Sequence, residues 1–174
     1  MNTVPEKSAM NFNGVIQKKI MDAESLEKMI SVWRFFGKKI VFTNGCFDLL
    51  HRGHIHLLNT ARSFGDVLIV GLNSDSSVSK IKPGRPVQNE ESRALLISSL
   101  EVVDAVILFE EETPQQLIEK ILPDVLVKGG DYKPEDVAGK NIVEQHGGKV
   151  EIVPLQEGFS TSKLIEKLRE GNKR

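Results

Sequence analysis

Ile40-Val41-Phe42-Thr43-Asn44-Gly45-Cys46-Phe47-Asp48-Leu49-Leu50-His51-Arg52-Gly53-His54 changes character twice along its length. Ile40 to Thr43 is a short apolar run of the kind that forms a buried strand. Gly45 and Gly53 permit tight turning and close approach of a ligand to backbone. The helix that the histidines open offers unpaired N–H groups and a partial positive charge, which suit a phosphate. His51 and His54, three residues apart, fall on neighbouring positions of one helical turn.

The chain on either side repeats this alternation. Ile55, Leu58, Ala61 and Phe64 keep to one side of a helix over residues 54–64, and Val67 to Gly71 is a second apolar run. Together they predict a β-α-β unit with a right-handed crossover. Upstream, Asp22 suits an N-cap, and Leu26, Met29, Ile30, Trp33 and Phe36 keep helical spacing until Gly37. Downstream, Asn89 caps a helix from Glu90 to Leu100, Ala105 to Phe109 reads as a strand, and Thr113 and Pro114 open another helix. Val125-Leu126-Val127 and Val150 to Val153 are two more strands, flanking a helix near Asn141 to His146 that ends at Gly147-Gly148. Ser160 caps a final helix to about Glu170.

The expected fold is α/β: one domain over residues 38–174 with a doubly wound, Rossmann-like parallel sheet of five strands, preceded by an arm and helix over residues 1–37. Residues 1 to about 20 read as a polar arm or partly ordered lead-in. Ser74 to Gln88 and Gly129 to Gly139 are the least regular segments and read as mobile loops, at the end of the sheet where open α/β folds bind ligands.

Composition narrows the function. A chain of 174 residues with 40% hydrophobic and 27% charged residues fits one globular core. A formal charge of -1 gives no long-range field to gather nucleic acid or an anionic membrane, so phosphate binding must come from local sites. Cys46 as the single cysteine excludes an intramolecular disulfide and a multi-thiolate zinc site, and implies a reducing, cytoplasmic setting. No apolar run nears the roughly 20 residues of a membrane span, and no export segment opens the chain.

Two other segments carry chemistry. Ser160, Thr161 and Ser162 place hydroxyls at a helix start, where they could hold outer phosphates of a nucleotide. Lys128-Gly129-Gly130-Asp131-Tyr132 follows a strand, and its glycines permit close approach of a ligand to backbone. A metal reading of His51, His54 and His56 lacks the i, i+4 helical spacing and a nearby paired carboxylate. Cys46 has no activating partner visible in sequence.

Gly45-x-Phe47-Asp48-x-x-His51-x-Gly53-His54, followed by Ser160-Thr161-Ser162, resembles the signatures of the cytidylyltransferase-like branch of the nucleotidylyltransferases. The resemblance implies that His51, His54 and Lys80 or Lys82 act on the phosphates. Nucleotide contacts would come from Asn44, Gly45, Cys46, Phe47, Gly53, His54, Lys128, Gly129, Asp131, Ser160, Thr161 and Ser162. Arg93 matches a basic position of the family's middle helix; with Asp48 it is the candidate grip on the acceptor, guanidinium on phosphate and carboxylate on hydroxyls.

Adding Gly84-Arg85-Pro86-Val87, Asp124 to Tyr132 and Gly158-Phe159, the chain looks like the adenylyltransferases of ADP-heptose synthesis over about residues 22 to 170. That likeness implies transfer of AMP from ATP, with magnesium, to D-glycero-β-D-manno-heptose 1-phosphate, for lipopolysaccharide core assembly. It also implies a homodimer and, since the family resembles a domain fused behind a sugar kinase, a separate kinase partner. Glycerol-3-phosphate cytidylyltransferases share the first motif but usually carry an arginine where this chain has Leu155. A non-catalytic nucleotide-binding module and a metal-dependent hydrolase are the readings of other classes.

Overall fold

Among the described residues, β1 (Ile40–Gly45), β2 (Val67–Asn73), β3 (Ala105–Phe109), β4 (Val125–Gly129) and β5 (Lys149–Val153) form one sheet in the order β3-β2-β1-β4-β5. Every pairing is parallel. The computed structural model describes residues 12–130, 132–154, 160–161 and 164–165. Its helices are α1 (Phe12–Gln17), α2 (Ala23–Phe35), α3 (Arg52–Arg62), α4 (Asp75–Ile81), α5 (Glu90–Ser98), α6 (Gln115–Ile121) and α7 (Lys140–Gln145).

Alternation along the strands divides the core. Val41, Leu68, Val70, Val106, Val125 and Val127 pack with Leu58 and Ala61 of α3 and Ala94 and Ile97 of α5. On the other face Ile40, Phe42, Ile69, Ile107 and Leu126 pack with Leu26 and Ile30 of α2, Ile118 and Ile121 of α6 and Val143 of α7. A parallel sheet buried on both faces needs apolar residues at successive positions, which explains the unbroken strand runs. The doubly wound expectation stands.

Three aspartates tie down the amino ends of the strands. Asp66 accepts from the Lys39 amide at 2.8 Å, Asp124 from Ile40 at 2.7 Å and Asp104 from Leu68 at 2.8 Å. The carboxyl ends are left for other use. Strand order reverses at β1, with β2 and β3 on one side and β4 and β5 on the other, and this opens a crevice past the carboxyl ends of β1 and β4.

One expectation changes and another gains detail. The span from Ser74 to Gln88 is not all loop: Asp75–Ile81 is helical, and the Ser74 side chain caps it by accepting from the Ser77 amide. The arm is structured from Phe12 onward. Its last residues run beside the edge strand, where the Met21 amide donates to the Val106 carbonyl at 2.9 Å and the Val106 amide donates to Lys19 at 2.7 Å.

Leu58 is fully buried on the helix that carries the histidines. Leu58→Ala should cost about 2–5 kcal/mol of stability through lost burial and a residual cavity, read as a lower urea midpoint at unchanged slope.

Candidate active site

The turn leaving β1 is bent at Phe47, whose φ of 43° is rare for a residue with a side chain. Gly45 makes room for it, since a Cβ there would lie 3.0 Å from the Phe47 ring. His51 then occupies the N-cap of α3 in extended conformation, and its side chain does not cap the helix. The His51 imidazole is thus not spent on capping its helix.

The His51 and His54 rings stack with centroids 3.8 Å apart, and the Phe47 ring lies 5.1 Å from His54. Nδ1 of each histidine is buried without a hydrogen-bond partner among the described residues. Burial, then the nearby His51 and Lys82 charges, push the His54 imidazole down to about 4 from 6.5. Burial lowers His51 as well. Both rings are therefore neutral at physiological pH, each carrying one N–H to donate.

This turn forms one wall of a cavity of about 530 Å³ at the strand-order reversal. Asn44, Gly45, Cys46, Phe47, Gly53 and both histidines line that wall. Lys128 and Gly129 line it from β4, Ser160 and Thr161 from the C-terminal segment, and Lys82 from the end of α4. Thr161 Oγ1 donates to the Leu49 carbonyl at 3.4 Å, so the distant signature meets the first turn directly. Lys128 Nζ donates to Asn44 Oδ1 at 3.3 Å and stands 5.5 Å from the Tyr132 ring centroid. Burial lowers its amine; Cys46 opposes that shift and Lys82 adds to it.

The candidate lysines separate. Lys82 lines the cavity, whereas Lys80 lies exposed in the last turn of α4, away from the wall. Asp131 and Ser162 lie outside the described residues, as does Leu155. Among the described residues no group of three or more His, Cys, Asp or Glu side chains is placed to hold a metal ion.

The expected acceptor pair has other work. Arg93 is fully buried and faces its own chain, with Nε donating to Gln88 O at 3.0 Å, Nη1 to Cys46 O at 2.7 Å and Nη2 to Asp75 at 2.7 Å. It does not reach the cavity, so its assignment to the substrate phosphate is corrected to that of an internal strut. Asp48 borders the cavity, but its carboxylate accepts from Arg85 Nε at 2.5 Å, Val87 N at 2.8 Å and Gln88 N at 3.0 Å. Burial pushes that carboxyl up, and the three hydrogen bonds outweigh it and hold the group below its ordinary value. Sequence reasoning placed Arg85 only in a loop positioned to cover substrate and Tyr132 only within the base-pocket segment, and named neither as a site residue; both line the cavity. Arg85 lay within a quoted motif, but its pairing with Asp48 spans a sequence separation no local pattern reports.

A crevice at the topological switch point, walled by paired imidazoles and the Ser160 and Thr161 hydroxyls, is the site a nucleotidyltransferase needs. A family profile described as Cytidylyltransferase-like matches residues 42–167, and the chain belongs to that family. It is 51% identical over 155 residues to the bifunctional protein HldE of Geotalea uraniireducens, covering 88% of this chain and 32% of that protein. A 52% identical HldE from Trichlorobacter lovleyi is matched over 87% of this chain and 31% of its own length. The chain thus spans about a third of the curated relatives it matches. The crystal structure of the lipopolysaccharide core biosynthesis protein from Thermoplasma volcanium aligns with TM-score 0.57 at 34% identity, over 69% of this chain and 98% of that one. A pantoate-beta-alanine ligase from Francisella tularensis shares the fold alone, at TM-score 0.56 and 16% identity, over 89% of this chain and 79% of the ligase. Among the described residues no helix is long and apolar enough to cross a membrane.

The buried imidazoles link stability to pH. Between 6.5 and about 4 an unfolded His54 takes up a proton that the folded site refuses, so stability falls as pH drops through that window. His51 acts in the same direction. His54→Asn should reduce the difference in urea midpoint between about pH 7.5 and about pH 4.5; an unchanged difference would exclude His54 as its source.

Proposed function

We propose that this chain transfers AMP from ATP to D-glycero-β-D-manno-heptose 1-phosphate, yielding ADP-heptose and pyrophosphate. The observation that carries the reading is that one cavity joins the His51–His54 pair to Ser160 and Thr161, at the carboxyl ends of β1 and β4. The HldE relatives and the lipopolysaccharide core biosynthesis protein support the choice of sugar phosphate. The reaction belongs in the cytoplasm. The relatives' description as bifunctional fits a pathway in which a sugar kinase makes the acceptor, and the resemblance favours a homodimer.

A phosphate oxygen of the acceptor attacks the α-phosphorus of ATP in line, and the bond to pyrophosphate breaks. A monoester with a second pKa of about 6 is already mostly dianionic at neutral pH, so no strong general base is needed. Bringing two anions together is the difficulty. Neutral imidazole N–H groups of His51 and His54, the α3 N-terminus and Lys82 supply donors and positive charge to the oxygens where charge builds up. The Ser160 and Thr161 hydroxyls serve the outer phosphates. Gly129 and Gly130 let backbone approach the adenine, beside Lys128 and Tyr132. Magnesium bound to ATP would offset part of the triphosphate's charge.

Pyrophosphate release across ATP, CTP, GTP and UTP, each with heptose 1-phosphate, glycerol 3-phosphate or phosphocholine, tests the reading. ATP with heptose 1-phosphate should turn over fastest, and preference for CTP with glycerol 3-phosphate would overturn it. His54→Ala should lower kcat about 10²- to 10³-fold, the usual result of losing one transition-state donor worth ~3–4 kcal/mol.

A further inference from the structure

We propose that Arg85 binds the phosphate of the acceptor and that the buried carboxylate of Asp48 aims its guanidinium; this rests on the transferase reading above. Among the described residues the flexible cations on the cavity wall are Lys82, Arg85 and Lys128. Lys128 is engaged with Asn44 and stands over Tyr132 on the β4 side. Lys82 bears electrostatically on His54, on the side of the histidine pair. Arg85 lies on the remaining side, where the chain returns from α4 to α5.

Its geometry suits a doubly charged phosphate, two of whose oxygens can face one planar guanidinium. The Arg85 side chain is 14% exposed, and Asp48, itself 1% exposed, holds it through Nε alone. The terminal nitrogens form no hydrogen bond with another described residue. A guanidinium fixed at Nε presents those nitrogens as a fork, matched to two oxygens of one phosphate in a way that a lysine ammonium is not. Asp48 Oδ1 is occupied by the Val87 and Gln88 amides, which fixes the backbone that carries Arg85. Arg93, the other arginine of this region, is fully spent on its own chain. Asp48 is therefore a positioning residue that acts through Arg85.

Initial rates read the assignment as a split between the two substrates. Arg85→Met should raise the KM for heptose 1-phosphate about 10- to 100-fold, with a change of less than about threefold in the KM for ATP. Arg85→Lys should retain part of the binding, and Asp48→Asn should raise the same KM by a smaller factor. An unchanged acceptor KM in Arg85→Met, or equal rises for both substrates, overturns the proposal.

A measurement on the wild-type chain guards against variants that fold poorly. Phenylglyoxal modification of Arg85, followed by peptide mass spectrometry, should be slowed by heptose 1-phosphate and not by ATP alone; the reverse pattern removes Arg85 from the acceptor site. If the wild type releases no pyrophosphate with any pair, the transferase reading fails by itself. Inorganic phosphate then serves as the probe: protection of Arg85 keeps it as a phosphate site, and absence of protection dismisses it.

Discussion

Two buried charged side chains hold the turn between β1 and α3, and the shape of the cavity depends on them. Arg93 reaches from α5 to the Cys46 carbonyl, the Gln88 carbonyl and Asp75 at the start of α4. Asp48 reaches out from the turn to the backbone of Val87 and Gln88 and to Arg85. Breaking a buried ion pair by removing one member commonly costs about 3–5 kcal/mol, because the other is left uncompensated. The turn, the loop of residues 82–88 and the first turns of α4 and α5 therefore behave as one mechanical unit. Phe47 can hold its left-handed backbone because the residues on either side of it are fixed from outside.

The same burial sets the chemistry of the wall. Desolvation keeps His51 and His54 uncharged and weakens the hold of Lys128 on its proton. Positive groups gathered in a partly dry crevice raise one another's energy, and an arriving polyanion relieves that cost. Low overall charge is compatible with this design, since the field is made locally by side chains and by the α3 N-terminus.

Much of this was legible in the residues. The strands are unbroken apolar runs because a parallel sheet is covered on both faces, and Asp22 and Asn89 announce their helices through side-chain caps that the structure contains. The signature around His51 and His54 located the cavity. For two buried charges the illegible part is dependence on partners from other segments of the chain; for α4 it is a weak local pattern. Arg93 sits on α5 at a position that the family resemblance assigns to the acceptor phosphate, yet contacts 18, 47 and 5 residues away bury it completely in its own chain. Asp48 carries a hydrophilic side chain in a motif, and its partners arrive from the far end of a loop. The α4 helix was missed because Val78 and Ile81 are its sole large apolar residues amid a polar run, and its formation decides that Lys82, and not Lys80, lines the cavity.

The segment around Ile20 has a bearing on assembly. Its two main-chain hydrogen bonds to Val106 lie on the outer margin of β3, where a lone sheet would offer an open row of amides to any passing strand. With that row interrupted near its start, strand-by-strand growth from this margin is discouraged. A neighbouring molecule docking there meets side chains of the α1 to α2 connection, so recognition at this margin depends on residue identity more than on backbone pairing.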